Sequence, residues 1–446
     1  MRAILPAIAI VFLSACYAEA AEIRTQIRFK TSLWADTVGY LASFRGNSLK
    51  VIDTLRIDEK GKCRRKASYP IGEYAIVLPD RSQIRLIINE KKLTITQDSE
   101  TTDFGRSLEN NLYQDFLDIE RQLEKKRIQL QSNNSGDLKI ISEKVDQLEI
   151  TRTLFLSLNA ENVEKTFAGK IIKAISGPND LVYYSQHPSS AKWVKKDFLR
   201  GIDFADETMY YTEIFHLRTK FYMERVLEQN ADTIINNLVE LLEKSKPAQE
   251  NFQFLFSYYM SSYSRSKYPQ HELVFKYLFE NYCATGQTPW IEEAQQMRWE
   301  AEIGSFQNLL IGTTPVQIEL YDTAGNPLRY NFSHHQYTLL IFWSPGCAHC
   351  RAEVPQYYKV YQKHKDKGFE TIAVYTEIFE DEWKEFIKEE NLSWHNGADT
   401  EQKGNLKRDF FISETPAVIL VDSSGIIVDK RFTAGVLNQF LKANLD

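Results

Sequence analysis

Two thiols, Cys347 and Cys350, stand three residues apart with Ala348 and His349 between them. At this spacing, on the first turn of a helix, they can close into a disulfide without unwinding the backbone. The flanking residues predict that placement. Leu339-Leu340-Ile341-Phe342-Trp343 is an apolar run of strand length, and Ser344-Pro345-Gly346 breaks it. Arg351-Ala352-Glu353-Val354-Pro355 then opens a helical stretch. A sulfur at a helix N-terminus faces free N–H groups and the positive end of the macrodipole, which favour the thiolate. A lowered pKa raises the nucleophile's abundance near neutral pH. The chemistry expected at Cys347 is therefore attack on another sulfur. His349 either adds positive charge or a hydrogen bond to that thiolate, or is an exposed spacer.

The elements that must hold these thiols follow from Gly312 onward, where the pattern alternates between strand and helix. Thr371-Ile372-Ala373-Val374-Tyr375 reads as a strand and Glu380 to Glu390 as a helix. Thr415-Pro416 precedes a strand from Ala417 to Val421. Ser423-Ser424-Gly425 turns into Ile426-Ile427-Val428, and Gly435 to Leu445 closes the chain as a helix.

A strand, a CxxC pair, a helix and a later Thr-Pro before a strand form a specific combination. At these residues the chain resembles the thioredoxin superfamily, most closely the TlpA/ResA-like thiol–disulfide oxidoreductases of bacterial envelopes. The resemblance covers about residues 306–446. It implies an α/β thioredoxin-like domain with Cys347 as attacking thiol and Cys350 as resolving thiol. It also implies a cis-proline at Pro416, next to Thr415, beside them. No cofactor is implied beyond the redox-active disulfide itself. The partners implied are client proteins with disulfides and a membrane thiol carrier as electron donor. The residues alone leave a second reading of Pro416, a trans proline at a strand edge.

Two departures from the family pattern stand out. Thioredoxin has a buried Asp just before the Phe-Trp pair, where this chain has Ile341, so the usual proton acceptor for the resolving thiol is missing. TlpA/ResA-like proteins can carry a Glu near the site, and Glu377 falls close to that place; the competing reading is a solvated surface Glu. Thioredoxins also usually have Trp immediately before the first Cys, where Gly346 stands here. Losing that ring opens the site to a bulkier or different partner.

Other chemistries fit less well. Zinc would want a second CxxC or a suitably spaced His pair, and His334-His335 falls in an expected loop. A thiol peroxidase would want Thr and Pro arranged ahead of its reactive Cys, which Ser344-Pro345-Gly346-Cys347 does not supply. A purely structural disulfide is the remaining alternative for the pair. Cys63 and Cys283 have no neighbouring Cys and no activating motif, so both are expected to be idle in turnover, although export would allow them to pair with each other.

The rest of the chain has two textures. Residues 23–98 alternate like short strands, with turn signals at Gly46-Asn47, Asp58-Glu59-Lys60-Gly61, Pro70-Ile71-Gly72 and Pro79-Asp80. That spacing predicts a small β-sandwich. From about 103 to 305 apolar residues recur at helical spacing, as in Leu108, Leu112, Phe116, Ile119 and Leu123, and again in Ile234, Leu238, Leu241 and Leu242. The expected plan is a signal segment, a β-sandwich-like domain at 21–100, an all-α region at 101–305 and the thioredoxin-like domain at 306–446. The Tyr- and Phe-rich stretch from Phe252 to Tyr282 reads as core.

The N-terminus reads as an export signal, with Arg2 before an apolar core from Ile4 to Leu13. Two cleavages compete. Leu13-Ser14-Ala15-Cys16 fits a lipobox, which would lipidate Cys16, and Ala18-Glu19-Ala20 fits release of a soluble protein. The expected location is the periplasm or cell envelope, lipid-anchored or soluble, with membrane contact only through such an anchor.

The 446 residues are a soft prior for about three domains. Nineteen Gly and thirteen Pro exclude collagen-like and Pro/Gly-rich chains, and five Cys are too few for a disulfide scaffold. A net charge of −6 argues against a nucleic-acid partner. The function expected is an envelope thiol–disulfide oxidoreductase acting on protein clients, in the reducing direction that the resemblance implies. The competing reading is a binding or scaffold protein that recognises a protein or glycan through residues 23–305, with the thioredoxin-like domain as an accessory.

Overall fold

The computed structural model describes residues 21–133, 150–176, 197–377, 380–399, 406–412 and 414–445. The signal segment, with Cys16 and the Ala18-Glu19-Ala20 site, lies outside them. The sequence offers plausible helix breaks at Asn133-Asn134-Ser135-Gly136 and Ser176-Gly177-Pro178-Asn179, of which residues 134–136 and 177–179 also lie outside them. The chain divides into two compact units, Met1–Gln229 with Asn236–Phe256, and Asn230–Ile235 with Ser257–Asp446.

In the first unit eight strands form two four-stranded sheets. They are β1 (Glu22–Thr31), β2 (Thr37–Arg45), β3 (Ser48–Ile57), β4 (Lys62–Pro70), β5 (Gly72–Val77), β6 (Gln83–Ile88), β7 (Lys92–Gln97) and β8 (Thr102–Asp103). The strand orders are β4-β1-β7-β8 and β3-β2-β5-β6. Ile27, Phe29, Leu93 and Ile95 meet Leu41, Leu55, Ile76 and Leu86 in one apolar core. This is the expected sandwich, because alternate residues of each strand turn inward. Strand β4 was not foreseen. Its sequence, KCRRKASYP, has no apolar alternation, and only Tyr69 is buried. Pairing with β1 along the sheet edge, from Glu22↔Pro70 to Lys30↔Lys62, holds it in place.

Helices follow as α1 (Leu108–Asn133), α2 (Ala160–Lys165), α3 (Phe167–Ile175) and α4 (Glu213–Phe221). Leu112, Phe116 and Leu123 are buried as their spacing predicts, whereas Leu108 is exposed at the helix start. A buried polar knot ties sheet to helix. The Glu73 carboxylate accepts from Tyr113 Oη at 2.6 Å and from the Glu213 N–H at 3.0 Å, and lies 3.0 Å from Arg85. Helices α5 (Ala231–Ser245) and α6 (Gln249–Ser264) contribute residues to both units.

The second unit continues with α7 (Gln270–Leu278) and α8 (Glu293–Phe306), then β9 (Leu320–Tyr321), β10 (Pro327–Leu328), β11 (Tyr337–Trp343), α9 (Ala348–His364), β12 (Phe369–Tyr375), α10 (Glu380–Glu389), β13 (His395–Ala398), α11 (Leu406–Asp409), β14 (Ala417–Asp422), β15 (Ile427–Lys430) and α12 (Ala434–Leu445). Seven strands form one mixed sheet in the order β10-β9-β13-β12-β11-β14-β15. Strand β11 is an interior strand, parallel to β12 and antiparallel to β14. Its unbroken apolar run is explained by burial on both faces. Leu339, Ile341 and Trp343 pack with Cys350, Val354 and Tyr357 of α9 and with Trp383 and Phe386 of α10. Leu340 and Phe342 pack on the other face with Phe410, Ile419 and Val421.

Helix α7 is tied to strand β15 by buried charges. Lys430 Nζ lies 2.5 Å from Glu272 Oε2, and the Arg431 guanidinium 2.8 Å from Glu272 Oε1. The Arg431 N–H in turn donates to the Val418 carbonyl at 3.1 Å. Among the described residues, no helix is long and apolar enough to cross a membrane.

Candidate active site

Strand β11 ends at Trp343, and a tight turn delivers the chain into α9. Ser344 organises that turn. Its carbonyl accepts from the Cys347 N–H at 3.1 Å, and its hydroxyl accepts from the Gly346 N–H at 3.2 Å. Arg351 Nε donates to the Pro345 carbonyl at 2.7 Å and lies over the Phe386 ring. The sequence places Ser344 in a chain break and Arg351 at a helix start, but assigns neither a part in holding the site. The signal available for Ser344 was a hydroxyl just ahead of Pro-Gly, a residue type that closes turns through its side chain.

Cys347 is the N-cap of α9 and Cys350 lies in its first turn. The two differ in burial. Cys350 is fully buried, whereas Cys347 is half-buried. Their pKa values move in opposite directions. Burial acts to raise that of Cys347, but the Cys350 N–H, the Thr415 hydroxyl, the Cys350 side chain and the His349 N–H outweigh it, and the net direction is down. Burial dominates at Cys350 and pushes its thiol up to about 11, against weaker help from the Ser344 N–H and Thr415. The Cys347 sulfur closes no regular capping hydrogen bond; it sits over the free N–H groups of the first turn instead. Both cysteines are free thiols, as are Cys63 on β4 and Cys283, so Cys63 and Cys283 are not joined to each other.

The Thr415–Pro416 peptide is cis. It brings the Thr415 carbonyl within 3.2 Å of Cys347 Sγ, which donates to it. Strand β14 begins at the next residue, with Ala417 opposite Phe342. Cys347, Cys350, Thr415 and Pro416 are therefore gathered at one end of the sheet. Glu377 lies at that end as well. It is exposed, two residues past Tyr375, which pairs with Trp343. Ile341 occupies the fully buried position on β11 and offers no carboxylate to Cys350. His349 is exposed, and its backbone N–H is what reaches toward the Cys347 sulfur. Among the described residues, no group of three or more His, Cys, Asp or Glu is arranged to hold a metal ion.

This geometry separates the two contributions that residue 349 could make. His349→Ala keeps the N–H, and the alkylation rate of Cys347 at neutral pH is expected to stay within about twofold of wild type. His349→Pro removes the N–H while remaining compatible with a helix's first turn. That N–H is the weakest of the four groups that lower the thiol, and an ordinary hydrogen bond nets about 0.5–1.5 kcal/mol, so the thiolate fraction should drop by about threefold or more. In the wild type, Cys347 should be labelled well before Cys350, with a midpoint below the ordinary thiol range. Equal loss in both variants would assign the effect to the imidazole.

A mixed sheet carrying a paired-thiol helix beside a cis-proline loop defines a thioredoxin-like domain. A family model described as thioredoxin-like matches residues 335–427. The thiol-disulfide oxidoreductase ResA of Bacillus cereus is 26% identical over 124 residues, which is 28% of this chain and 70% of that protein. ResA of Halalkalibacterium halodurans is 30% identical over 132 residues, 29% of this chain and 73% of that protein. The thioredoxin domain of a thiol-disulfide oxidoreductase from Bacteroides vulgatus is 31% identical, covering 30% of this chain and 98% of its own, at a TM-score of 0.29. The chain belongs to the ResA-like thiol–disulfide oxidoreductases of the thioredoxin superfamily, through its C-terminal third.

Proposed function

We propose that this chain is an exported envelope enzyme that reduces disulfides in client proteins through Cys347 and Cys350. The asymmetry of the two thiols carries this reading: an accessible sulfur with a lowered pKa stands in front of a buried one with a raised pKa. In the first step the Cys347 thiolate attacks one client sulfur. A mixed disulfide forms, the client S–S bond breaks, and the second client sulfur leaves as a thiolate. Cys350 then loses its proton and attacks Cys347 Sγ. The Cys347–client bond breaks and the Cys347–Cys350 disulfide forms, so two electrons have passed to the client. Water supplies protons to the released thiolates.

With Ile341 in place of a buried carboxylate, the proton on Cys350 needs another acceptor. Glu377, at the same end of the sheet, is our candidate for that role. The cis Thr415–Pro416 bond sets the wall against which the mixed disulfide forms. A membrane thiol carrier is the electron donor we propose for resetting the pair, which needs no cofactor beyond its own disulfide.

Direction is the part to test. Stabilising the Cys347 thiolate stabilises the reduced form and so raises the potential of the couple. A reductant is nevertheless held reduced by its donor. Trapping the full chain in its native cell envelope with an alkylating agent should find the 347/350 pair mostly as thiols, and Cys347→Ser should abolish reduction of insulin. A pair trapped as the disulfide would reverse the direction. Undiminished insulin reduction by Cys347→Ser would remove the reading altogether.

A further inference from the structure

A β-strand shows alternate residues to opposite faces, and in β1, β4 and β7 the outward set is cationic. Ile27, Phe29, Leu93 and Ile95 turn into the sandwich core. The residues between them point out: Arg24, Arg28 and Lys30 on β1, and Lys92 at the start of β7. On β4 the register sets Arg64 opposite Arg28 and Lys62 opposite Lys30, while Lys66 and Lys92 flank Gln26 from either side. All of these cations are exposed. The carboxylates on the four strands of this sheet are Glu22, where β1 starts, and Asp103, on the far edge strand β8. Among the described residues, no carboxylate forms an ion pair with any of these cations, whereas Arg65, on the other side of β4, is held by Asp53 at 2.6 Å.

Within the chain this arrangement is a cost. Like charges directly opposite on neighbouring strands destabilise a sheet, and they gather here in a chain whose net charge is −6. Blunting a free sheet edge explains lysines on β4, the edge strand. It does not explain Arg24, Arg28 and Lys30, because β1 is paired on both sides. We infer that this face of the sandwich docks on a bilayer surface of anionic phospholipid. The inference rests on the envelope location proposed above. Charge complementarity selects an anion, and the composition of the face selects a bilayer. Its outward residues include no aromatic and no large apolar side chain, so it offers no ring for stacking a base and no anchor of the kind that dominates protein–protein interfaces. What it offers is a two-dimensional array of charge, with strands about 4.8 Å apart and outward residues about 6.6 Å apart along each strand. A leaflet of anionic headgroups matches that array, and each Lys or Arg brought near it strengthens binding by about fivefold. On the lipobox reading, Glu22 lies six residues after Cys16, so a lipid there would hold the start of β1 within about 20 Å of the bilayer.

The test is flotation of the chain cut after Ala20, which retains every described residue, with vesicles of phosphatidylglycerol and phosphatidylcholine in equal parts and with vesicles of phosphatidylcholine alone. The chain should float with the first only, and less as salt is raised. Arg28→Gln/Arg64→Gln should lower the partition coefficient by about tenfold or more. Lys388→Gln/Lys442→Gln, which takes the same charge from exposed positions of the second unit, should leave it within about twofold. Relieving an opposed like-charge pair should not lower the melting midpoint; should the first double variant not fold, Lys62→Gln/Lys66→Gln provides the same comparison. Equal binding to both vesicles, equal loss in both double variants, or binding to soluble dextran sulfate without binding to vesicles overturns the inference. In each of those cases reduction of insulin is unaffected and the oxidoreductase reading stands. Cell fractionation tests the location separately, and a chain absent from the envelope removes the reading on which the inference rests.

Discussion

Cys350→Ala is expected to accumulate a covalent adduct between Cys347 and client proteins, while the wild type shows almost none. In the wild type the second thiol is already held beside the first. Cys347 is the N-cap of α9 and Cys350 lies in its first turn, close enough that each thiol shifts the other's pKa. Well-oriented intramolecular reactions have effective molarities of about 10⁵ M or more, so an external thiol at millimolar concentration is a poor substitute. Removing Cys350 leaves release of the client to that slow route. The variant should fold, since it loses only one buried sulfur from a core that includes Val354, Tyr357 and Trp343. Acid quenching of envelope extract, alkylation and non-reducing electrophoresis should show bands that reductant removes, and mass spectrometry should place the linkage at Cys347. The double variant Cys347→Ser/Cys350→Ala should show none. A folded Cys350→Ala protein that captures no partner would favour the scaffold reading, in which residues 23–305 do the recognising.

The thiol pair and the strand and helix that flank it were legible because each is local. An apolar run, a Ser-Pro-Gly break and a CxxC pair lie within about a dozen residues, and burial of β11 on both faces is written in its composition. The sandwich was legible for a similar reason, since inward residues alternate along β1, β2, β5, β6 and β7. What escaped depended on contacts distant in sequence. Strand β4 exists because β1 pairs with it, and nothing in KCRRKASYP announces that. Strand β13 has four residues and is placed by β12. The wall of the thiol site comes from Thr415, 68 residues from Cys347, and only the family resemblance pointed to it. The part of His349 nearest the chemistry is a backbone N–H, which any residue except proline supplies. A reading from side-chain type could not have distinguished the two. The polar ties between helix and strand are also invisible in sequence, because Glu272 and Lys430 are ordinary surface residue types separated by 158 positions.

That last pair should carry the largest stability effect of any charged contact in the second unit. The Lys430 and Glu272 side chains are only 5% and 9% exposed, and Arg431 completes the cluster from a more open position. Burial pushes the Lys430 ammonium toward losing its proton, and Glu272 pulls it back. Glu272→Ala removes that support and leaves a buried ammonium without its carboxylate. Breaking one side of a buried pair costs about 3–5 kcal/mol, whereas replacing both sides with packed apolar residues is often neutral. Glu272→Leu/Lys430→Met should therefore recover most of the loss. Lys430→Met alone should cost less than Glu272→Ala, because Arg431 still satisfies the carboxylate. Hydrogen exchange suits the measurement, since unfolding of a chain with two units need not be two-state. The Arg431 N–H, bonded to the Val418 carbonyl, reports on β14 and β15 directly. Its protection should fall by roughly a hundredfold or more in Glu272→Ala, at 1.4 kcal/mol per factor of ten. A fall of less than about fivefold would mean that water reaches Lys430 freely and that the pair behaves as a surface contact. A full loss that the double variant does not recover would mean that the carboxylate holds more of α7 in place than these two cations.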